Sequence, residues 1–251
     1  MIPYFESHTY SLGPLVFQTW GTFVALGFLL ATVVASNRAE KMKLDPKHVW
    51  DMAFWIFLFA MIGARAFHVV FYEPAYYLAH PLEAFNPLRP GFAIFGGFIG
   101  GALATWLVIR KRGLDFLAYA DALAWGLPWG CGVGRIGCFL IHDHPGTLSS
   151  FVTAVDYPNG KRHDLGLYLS LLGFTIGLIF LVLRRFGKND PRYMKKGFWV
   201  GAFFLLYGFA RFALDFLRMN DTRWFSLTPT QWILIPTAVL GAWLVFRRQD
   251  T

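Results

Sequence analysis

The chain has 251 residues, of which 56% are hydrophobic and only 15% are charged. Soluble domains carry about 25% charged residues, so this composition excludes an ordinary soluble globular protein. The formal net charge of +8 does not indicate nucleic-acid binding, because the basic residues form short clusters between apolar segments instead of one basic face. The composition predicts a single integral membrane domain over residues 1–251.

Seven apolar segments are long enough to cross a bilayer as helices, which takes roughly 20 residues. They lie near residues 15–36, 49–70, 91–109, 115–141, 165–183, 197–217 and 229–246. The predicted fold is therefore an all-α polytopic membrane protein with seven transmembrane helices. Fifteen Lys and Arg residues fall in the loops on one side and five on the other. The positive-inside rule then predicts an outside N-terminus, a cytoplasmic C-terminus and a small periplasmic loop over residues 142–164.

Three arginines fall inside the predicted spans: Arg65, Arg135 and Arg211. Each lies five or six residues from the outer end of its span, or about 8–9 Å below the outer interface. Three cations at one depth predict a bound anion, and a phospholipid phosphate matches the planar fork of arginine. The alternative is that each side chain reaches outward to water or pairs with an aspartate, as Arg211 can with Asp215 one turn later.

Glycines are concentrated in the third and fourth spans. Gly96 and Gly97 predict either close helix packing or room for a lipid near the arginines. The fourth span is expected to kink or break next to Arg135, and so to border a polar cavity. Its helix-disrupting residues are Gly126, Pro128, Gly130, Gly132, Gly134 and Gly137. In the same span, Cys131 and Cys138 would lie about 10 Å apart along a helix, too far for a disulfide.

The loop 142–164 carries the polar residues expected at the mouth of that cavity: His142, Asp143, His144 and His163. Histidine can act as a general base near neutral pH, although polar residues also simply solvate loops. Two histidines around one carboxylate are a weak metal signature, so no metal and no cofactor are predicted. Within the loop, Val152 to Tyr157 predicts a short strand, followed by a turn at Pro158-Asn159-Gly160.

These motifs together resemble one family, the bacterial prolipoprotein diacylglyceryl transferases. GRIGCF at 134–139, with Asp143 and Gly146, is similar to the family signature Gly-Arg-x-Gly-Asn-Phe-x-Asn-x-Glu-x-x-Gly. FGGFIGG at 95–101, RHDLGLY at 162–168 and RFALDFLR at 211–218 resemble three further family segments in the same order. The resemblance therefore covers essentially the whole chain.

The resemblance implies a reaction between a lipid and a protein. The sn-1,2-diacylglyceryl group of phosphatidylglycerol would move to the lipobox cysteine thiol of a prolipoprotein, with release of glycerol 1-phosphate. It implies that Arg135 and Arg211 hold the lipid phosphate and that Asp143 replaces a family glutamate. It also implies a place in the bacterial inner membrane with the active site facing the outer leaflet. The remaining residues implied to bind substrate are Trp20, Gly96, Gly97, Phe139, Gly146, His163, Asp215 and Arg218.

Several positions depart from the family pattern. Phe95 replaces the histidine proposed as the family base, and Cys138 and Ile141 replace the signature asparagines. Asp215 replaces a glutamate, Trp20 a tyrosine and Gly166 the glutamine of the loop motif. We hypothesise that His142 or His144, on either side of Asp143, supplies the base. Two alternatives are a phospholipid-dependent transferase with another acceptor and a non-catalytic protein that binds or translocates lipid.

Overall fold

A computed structural model describes residues 2–86, 91–187, 190–219 and 223–247. The helices in these ranges are α1 (Thr19–Lys41), α2 (Lys47–Phe71), α3 (Pro74–Ala79), α4 (Ile94–Arg112), α5 (Phe116–Ile141), α6 (Leu165–Phe186), α7 (Phe198–Leu214) and α8 (Pro229–Phe246). The strands are β1 (Ile2–Pro3), β2 (Thr9–Leu12), β3 (Leu15–Gln18), β4 (Pro145–Leu148), β5 (Val155–Tyr157) and β6 (Gly160–Asp164). Short 3₁₀ turns follow α3, precede α7 and follow α7.

Five helices are long and apolar enough to cross a membrane: α1, α2, α6, α7 with its following turn, and α8. The predicted class, a mostly helical multi-pass membrane protein, is therefore confirmed. The other two predicted spans are occupied by α4 and α5. The sequence of α5 includes two charged residues, Asp121 and Arg135, together with five glycines.

The first helix begins at Thr19, four residues later than the predicted span. Residues 15–18 instead form β3, which pairs with β2 in antiparallel register from Thr9↔Gln18 to Leu12↔Leu15. The connecting turn places Gly13 at φ +60°, a conformation that glycine adopts without steric cost. Apolar Leu15, Val16 and Phe17 thus extend the hydrophobic run in the sequence but belong to a hairpin.

The chain forms two compact units, one of Met1–Met42 with Ala120–Thr251 and one of Lys43–Tyr119. In the second unit α2 packs along α4. Gly96 and Gly100 make this packing possible, because a Cβ at either position would overlap the backbone of α2 at Gly63 or Phe59. For Gly96 the close-packing interpretation is therefore confirmed.

The predicted break in the fourth span is wrong: α5 is a continuous helix through Pro128 and all of its glycines. The glycines instead lie where α5 contacts α1 and α6 within the first unit. A Cβ at Gly126 would overlap the carbonyl oxygen of Ala31 on α1, and one at Gly132 would lie 2.9 Å from the Phe174 ring on α6. Small residues let α5 approach helices on two sides, so the glycines bring α5 close to its neighbours.

A buried carboxylate of α5 caps the start of α7. Asp121 is 1% exposed and accepts hydrogen bonds from the backbone N–H of Gly197 at 2.7 Å and of Val200 at 2.9 Å. The first N–H groups of a helix have no partners within the helix, and a carboxylate also complements the positive end of its dipole. Asp121 therefore has a structural role and is not a counter-ion for the arginines predicted to hold an anion.

The loop after α5 is built on a small sheet with strand order β1-β5-β6-β4. The predicted strand is confirmed over Val155–Tyr157, and the pairing of Tyr157 with Gly160 leaves Pro158 and Asn159 as the turn. Strand β1, from the N-terminal segment, adds to β5 in parallel. The sheet thus fixes the N-terminal segment against the end of α5, where Ser7 N–H also donates to the Leu140 carbonyl oxygen at 3.0 Å.

The contact of α5 with α1 gives a stability test. We expect Gly126→Ala to lower the free energy of unfolding by about 1–3 kcal/mol, because the new methyl overlaps a backbone oxygen that cannot rotate away. Gly21→Ala is the matched control, since a Cβ there meets its nearest atom only at 4.0 Å and alanine is the better helix former. Thermal unfolding in detergent measures both; equal midpoints for the two variants would contradict the packing role.

Candidate functional site

Arg135 lies in the last two turns of α5, half-buried in an apolar helix. Its Nη1 is 3.5 Å from the Sγ of Cys138. Among the residues that the structure describes, no carboxylate lies within 4 Å of the Arg135 guanidinium. A cation inside an apolar segment is costly unless an anion or a polar cavity accommodates it. Arg135 is therefore a cation without a directly paired carboxylate among the described residues, although Asp143 acts on it from a greater distance.

Arg211 is 5% exposed and is paired. Its Nη1 lies 2.6 Å from Oδ1 of Asp215, which is itself fully buried. Asp215 also accepts a short hydrogen bond from the Thr228 hydroxyl, and Nη1 of Arg218 lies 3.8 Å from its Oδ1. Thr228 and Gln231 form the capping box of α8, so the ion pair connects the end of α7 to the start of α8. The predicted pairing of Arg211 with Asp215 is confirmed.

The structure brings Arg135 and Arg211 close enough to interact electrostatically. Tyr207, one turn before Arg211 on α7, interacts with both guanidinium groups. Of the described residues, only Asp215 has a carboxylate oxygen within 4 Å of either guanidinium, and Asp143 acts on Arg135 from a greater distance. Tyr207 was not identified from the sequence; its position four residues before Arg211, on the same helix face, was the available signal.

Asp143 and His144 follow the end of α5 next to this charge. Nδ1 of His144 lies 2.8 Å from the Asp143 carbonyl oxygen and 3.5 Å from its carboxylate Oδ1. Burial raises the pKa of Asp143 and lowers the pKa of His144, and the field of Arg135 also lowers the His144 pKa. His144 is therefore held in its neutral form, which can accept a proton.

Cys138, Asp143 and His144 are the described residues closest to a metal-binding arrangement, with ligand atoms within 4.8 Å of one another. The Arg135 guanidinium lies 3.5 Å from the Cys138 sulfur, so a divalent cation bound to that sulfur would lie close to a second positive charge. Two nearby positive charges repel strongly away from bulk water. The residues present thus fit an anionic ligand better than a metal ion.

His142 belongs to a different, buried cluster. It is 6% exposed, at φ +49°, and its Nδ1 lies 2.7 Å from Oδ2 of Asp164. The Tyr157 hydroxyl donates to the same carboxylate oxygen at 2.7 Å, and the Tyr4 ring stacks on the imidazole at 4.8 Å. Asp164 also caps α6 by accepting from the Leu167 N–H at 2.9 Å. This environment gives His142 a structural role and does not support the hypothesis that it is the base.

His163 has yet another environment. Its Nδ1 lies 2.6 Å from the hydroxyl of Tyr168, which in turn lies 2.9 Å from the Thr153 hydroxyl. The predicted grouping of three histidines around Asp143 is therefore confirmed only for His144. The sequence could not show that the three histidines have different environments, because the pairing of the strands determines where each side chain of the loop points.

A half-open cavity of about 290 Å³ lies beside Asp143. Trp20, a predicted substrate-binding residue, lines it. Ile141, which stands at a signature asparagine position, also lines it, and the lining residues found only from the structure are His8, Thr9 and Gln18. The hairpin β2–β3 and the first turn of α1 supply three of the six lining residues, and His8 directly precedes β2, which adds the N-terminal segment to the candidate site.

Three further residues from the sequence analysis, Gly146, Phe139 and Gly166, pack against the backbone or side chains of segments next to the candidate site. A Cβ at Gly146 would lie 2.9 Å from the Leu217 carbonyl oxygen, and Gly146 bridges to Arg218. Phe139 contacts the Phe5 ring edge-on at 5.8 Å, on the N-terminal segment. Gly166 stands where the family has glutamine, and a Cβ there would lie 2.6 Å from the Phe139 backbone nitrogen. Close approach of α6 to α5 gives a physical reason for that substitution.

The remaining predicted residues lie in the second unit. Arg65 donates to the carbonyl oxygens of Glu83, Ala84, Asn86 and Gly91. These bonds hold the segment between α3 and α4, so the expectation that Arg65 joins an anion site is not supported. Gly97 has only ordinary contacts, the nearest at 3.6 Å, and the side chain of Phe95 lies outside the described residues. Lipid binding by Gly96 and Gly97 stays a prediction.

Several long apolar helices define a multi-pass membrane protein, and Arg135, with no carboxylate within 4 Å among the described residues, marks its candidate site. Comparison with known proteins gives the family: the model for prolipoprotein diacylglyceryl transferase matches residues 8–247. The chain belongs to that family.

Similar proteins carry the same description. A phosphatidylglycerol–prolipoprotein diacylglyceryl transferase of Nitratidesulfovibrio vulgaris (strain DP4) is 32% identical over 94% of this chain and 91% of the relative. Proteins of the same name from Chromohalobacter salexigens and Cupriavidus necator are each 32% identical, over 92% and 98% of this chain and 88% and 95% of the relatives. Similarity along nearly the full length means that the relatives share the segments that form the site.

The buried cluster around Asp164 gives a second stability test. We expect Asp164→Ala to destabilise the protein by about 2–4 kcal/mol, since it removes a helix cap and leaves His142 and Tyr157 without their buried acceptor. Asp156→Ala is the matched control, because Asp156 lies on β5 in the same sheet but is exposed. Unfolding of both variants in detergent measures the difference; a loss in the Asp156 variant as large as in the Asp164 variant would contradict this role.

Proposed function

We propose that this protein transfers the sn-1,2-diacylglyceryl group of phosphatidylglycerol to the lipobox cysteine thiol of a prolipoprotein, releasing glycerol 1-phosphate. The observation that carries the proposal is Arg135, which has no carboxylate within 4 Å among the described residues and interacts with Arg211. A phosphodiester supplies the missing negative charge and accepts hydrogen bonds from the guanidinium fork. The names of the relatives supply the identity of the lipid and of the acceptor.

In this proposal the seven long helices cross the bacterial inner membrane with the N-terminus outside. The strong asymmetry of Lys and Arg between alternate loops supports this orientation. It places the end of α5, with Arg135, Asp143 and His144, toward the outer leaflet. Phosphatidylglycerol and the lipobox cysteine of a secreted prolipoprotein would meet there.

The reaction forms a thioether and breaks a carbon–oxygen bond. The thiolate sulfur attacks the glyceryl carbon that is bonded to the phosphate oxygen, and the electron pair of that bond leaves with glycerol phosphate. Negative charge on the leaving phosphate therefore increases in the transition state. Fixed guanidinium groups stabilise such developing charge best where water is scarce, which is the role we give to Arg135 and Arg211.

The thiol must lose its proton before it can attack. His144 is the base that the geometry supports, since it is half-buried, kept neutral and oriented by the Asp143 carbonyl oxygen 2.8 Å away. When it takes the proton, the adjacent Asp143 carboxylate stabilises the imidazolium. His142 is a weaker candidate because Asp164 occupies its Nδ1 and its side chain is fully buried.

An apolar cavity of about 380 Å³ between α6 and α7 offers a place for an acyl chain. It reaches Ala210, the residue before Arg211. The other lining residues are Leu172, Thr175, Ile176, Ile179, Leu205, Leu206 and Phe209. A phospholipid with its phosphate at Arg211 could thus place an acyl chain in this apolar cavity.

Purified protein with phosphatidylglycerol and a synthetic lipobox peptide tests the activity directly. Mass spectrometry should show a diacylglyceryl adduct on the peptide, together with equimolar glycerol phosphate. Arg135→Ala should reduce kcat/KM at least about 100-fold, through loss of charge stabilisation in the transition state. Arg110→Ala, which removes an exposed arginine at the end of α4, is the control and should retain activity.

Other outcomes of this assay have definite meanings. Glycerol phosphate without a peptide adduct would contradict the acceptor and favour a transferase with another acceptor. Neither product, from protein shown to be folded, would contradict catalysis and favour a lipid-binding relative.

The base has a signature in the pH profile. Burial lowers the pKa of His144, so the neutral form that accepts a proton persists below the usual histidine value of about 6.5. We expect kcat/KM to fall only as pH drops through this lowered pKa. His144→Gln should lose at least about 100-fold in rate and lose this acid limb. His80→Gln, at an exposed histidine of the second unit, is the control and should keep the normal rate and the normal acid limb. An unchanged acid limb in His144→Gln would exclude His144 as the base.

A further inference from the structure

A second cavity, of about 510 Å³ and lined by basic and apolar side chains, lies near the opposite end of α1 from Trp20. Arg38 lines it, and the 18 residues between Trp20 and Arg38 place the two about 27 Å apart along the helix. The remaining lining residues are Val34, Asn37, Lys41, Trp125, Leu181 and Arg184. Its volume is within the range of small-molecule sites, roughly 300–1,000 Å³. It is separate from the cavity beside Asp143.

Arg38 is the central cation of this cavity. It is only 7% exposed, and its guanidinium carbon lies 4.4 Å from the centre of the Trp125 ring and 5.6 Å from that of Trp199. The Nε of Arg38 is buried and has no hydrogen-bond partner in the described part of the chain. An unsatisfied donor on a buried charged group costs more than a lost neutral hydrogen bond, so a ligand acceptor is expected.

Nearby groups in the described ranges do not supply that acceptor. Asp121 is the carboxylate that acts electrostatically on Arg38, but both of its oxygens accept from the backbone at the start of α7. Arg184 adds to the positive field at Arg38, and Lys41 is a third cation in the lining. Asn37 adds an amide donor, and no lining residue is acidic. The polar part of the lining therefore consists of hydrogen-bond donors and positive charge.

We propose that this cavity binds the phosphate group of a second anionic ligand, apart from the lipid that reacts. A phosphate satisfies the Arg38 donor and neutralises part of the charge of Arg184 and Lys41. An adjoining apolar cavity of about 650 Å³ shares Leu181 and Arg184 with it and is otherwise lined by Val182, Arg185 and Phe186. This apolar surface favours a phospholipid, with its phosphate at Arg38 and an acyl chain along α6, over a free phosphate ion.

The test uses full-length Arg135→Ala protein, so that binding at the proposed reaction site is weakened. Dioctanoyl-phosphatidylglycerol, inorganic phosphate and dioctanoylglycerol are titrated separately in detergent, and binding is measured from tryptophan fluorescence and from the shift in unfolding midpoint. The site variant adds Lys41→Gln and Arg184→Gln, since both residues are more exposed than Arg38 and folding should be kept. The matched control adds Arg110→Gln and Lys111→Gln instead, two exposed cations of the second unit.

We expect phosphatidylglycerol to bind and dioctanoylglycerol, which lacks phosphate, not to bind. The site variant should weaken phosphatidylglycerol binding at least about tenfold, with no change in the matched control. Binding of phosphatidylglycerol alone supports a lipid ligand, and binding of inorganic phosphate as well supports recognition through the phosphate group. Binding of inorganic phosphate alone supports a soluble phosphate ligand. The proposal would be overturned if neither phosphatidylglycerol nor inorganic phosphate bound. It would also be overturned if the site variant and the matched control bound with equal affinity.

Discussion

The positive charge of Arg135 is the constraint on which the rest of the site depends. A guanidinium in an apolar helix is tolerated only where something compensates for lost hydration, and among the described residues the Arg135 guanidinium donates to the Cys138 thiol, 3.5 Å away. Arg211 faces the same problem but is compensated by Asp215. The two arginines therefore differ: an ion pair fixes Arg211 in place, whereas Arg135 has no paired carboxylate among the described residues and is the one that we propose holds the ligand.

Close helix packing makes that arrangement possible. The glycines of α5 let its backbone lie directly against α1 and α6, so few side chains intervene and Arg135 is held on a rigid element. The same packing accounts for one departure from the family pattern, because glutamine at position 166 would collide with the backbone at Phe139. Loss of a polar family residue at this position is therefore a consequence of geometry.

The sequence predicted the helices well because apolar runs of membrane length are a strong signal, as for α8 at 229–246. It predicted the Arg211–Asp215 pair for a similar reason, since residues four apart on a helix are neighbours. It could not place His142, whose partner Asp164 is 22 residues away and is positioned by the pairing of β4 with β6. The hairpin at 9–18 was missed because its apolar residues continue the pattern of α1.

Asp164 also has a consequence for how this loop can evolve. One carboxylate serves as the cap of α6 and as the acceptor for a histidine and a tyrosine from different segments. No single replacement can satisfy all three partners, so a substitution at one position removes a hydrogen bond at another. We expect positions 142, 157 and 164 to covary among related chains.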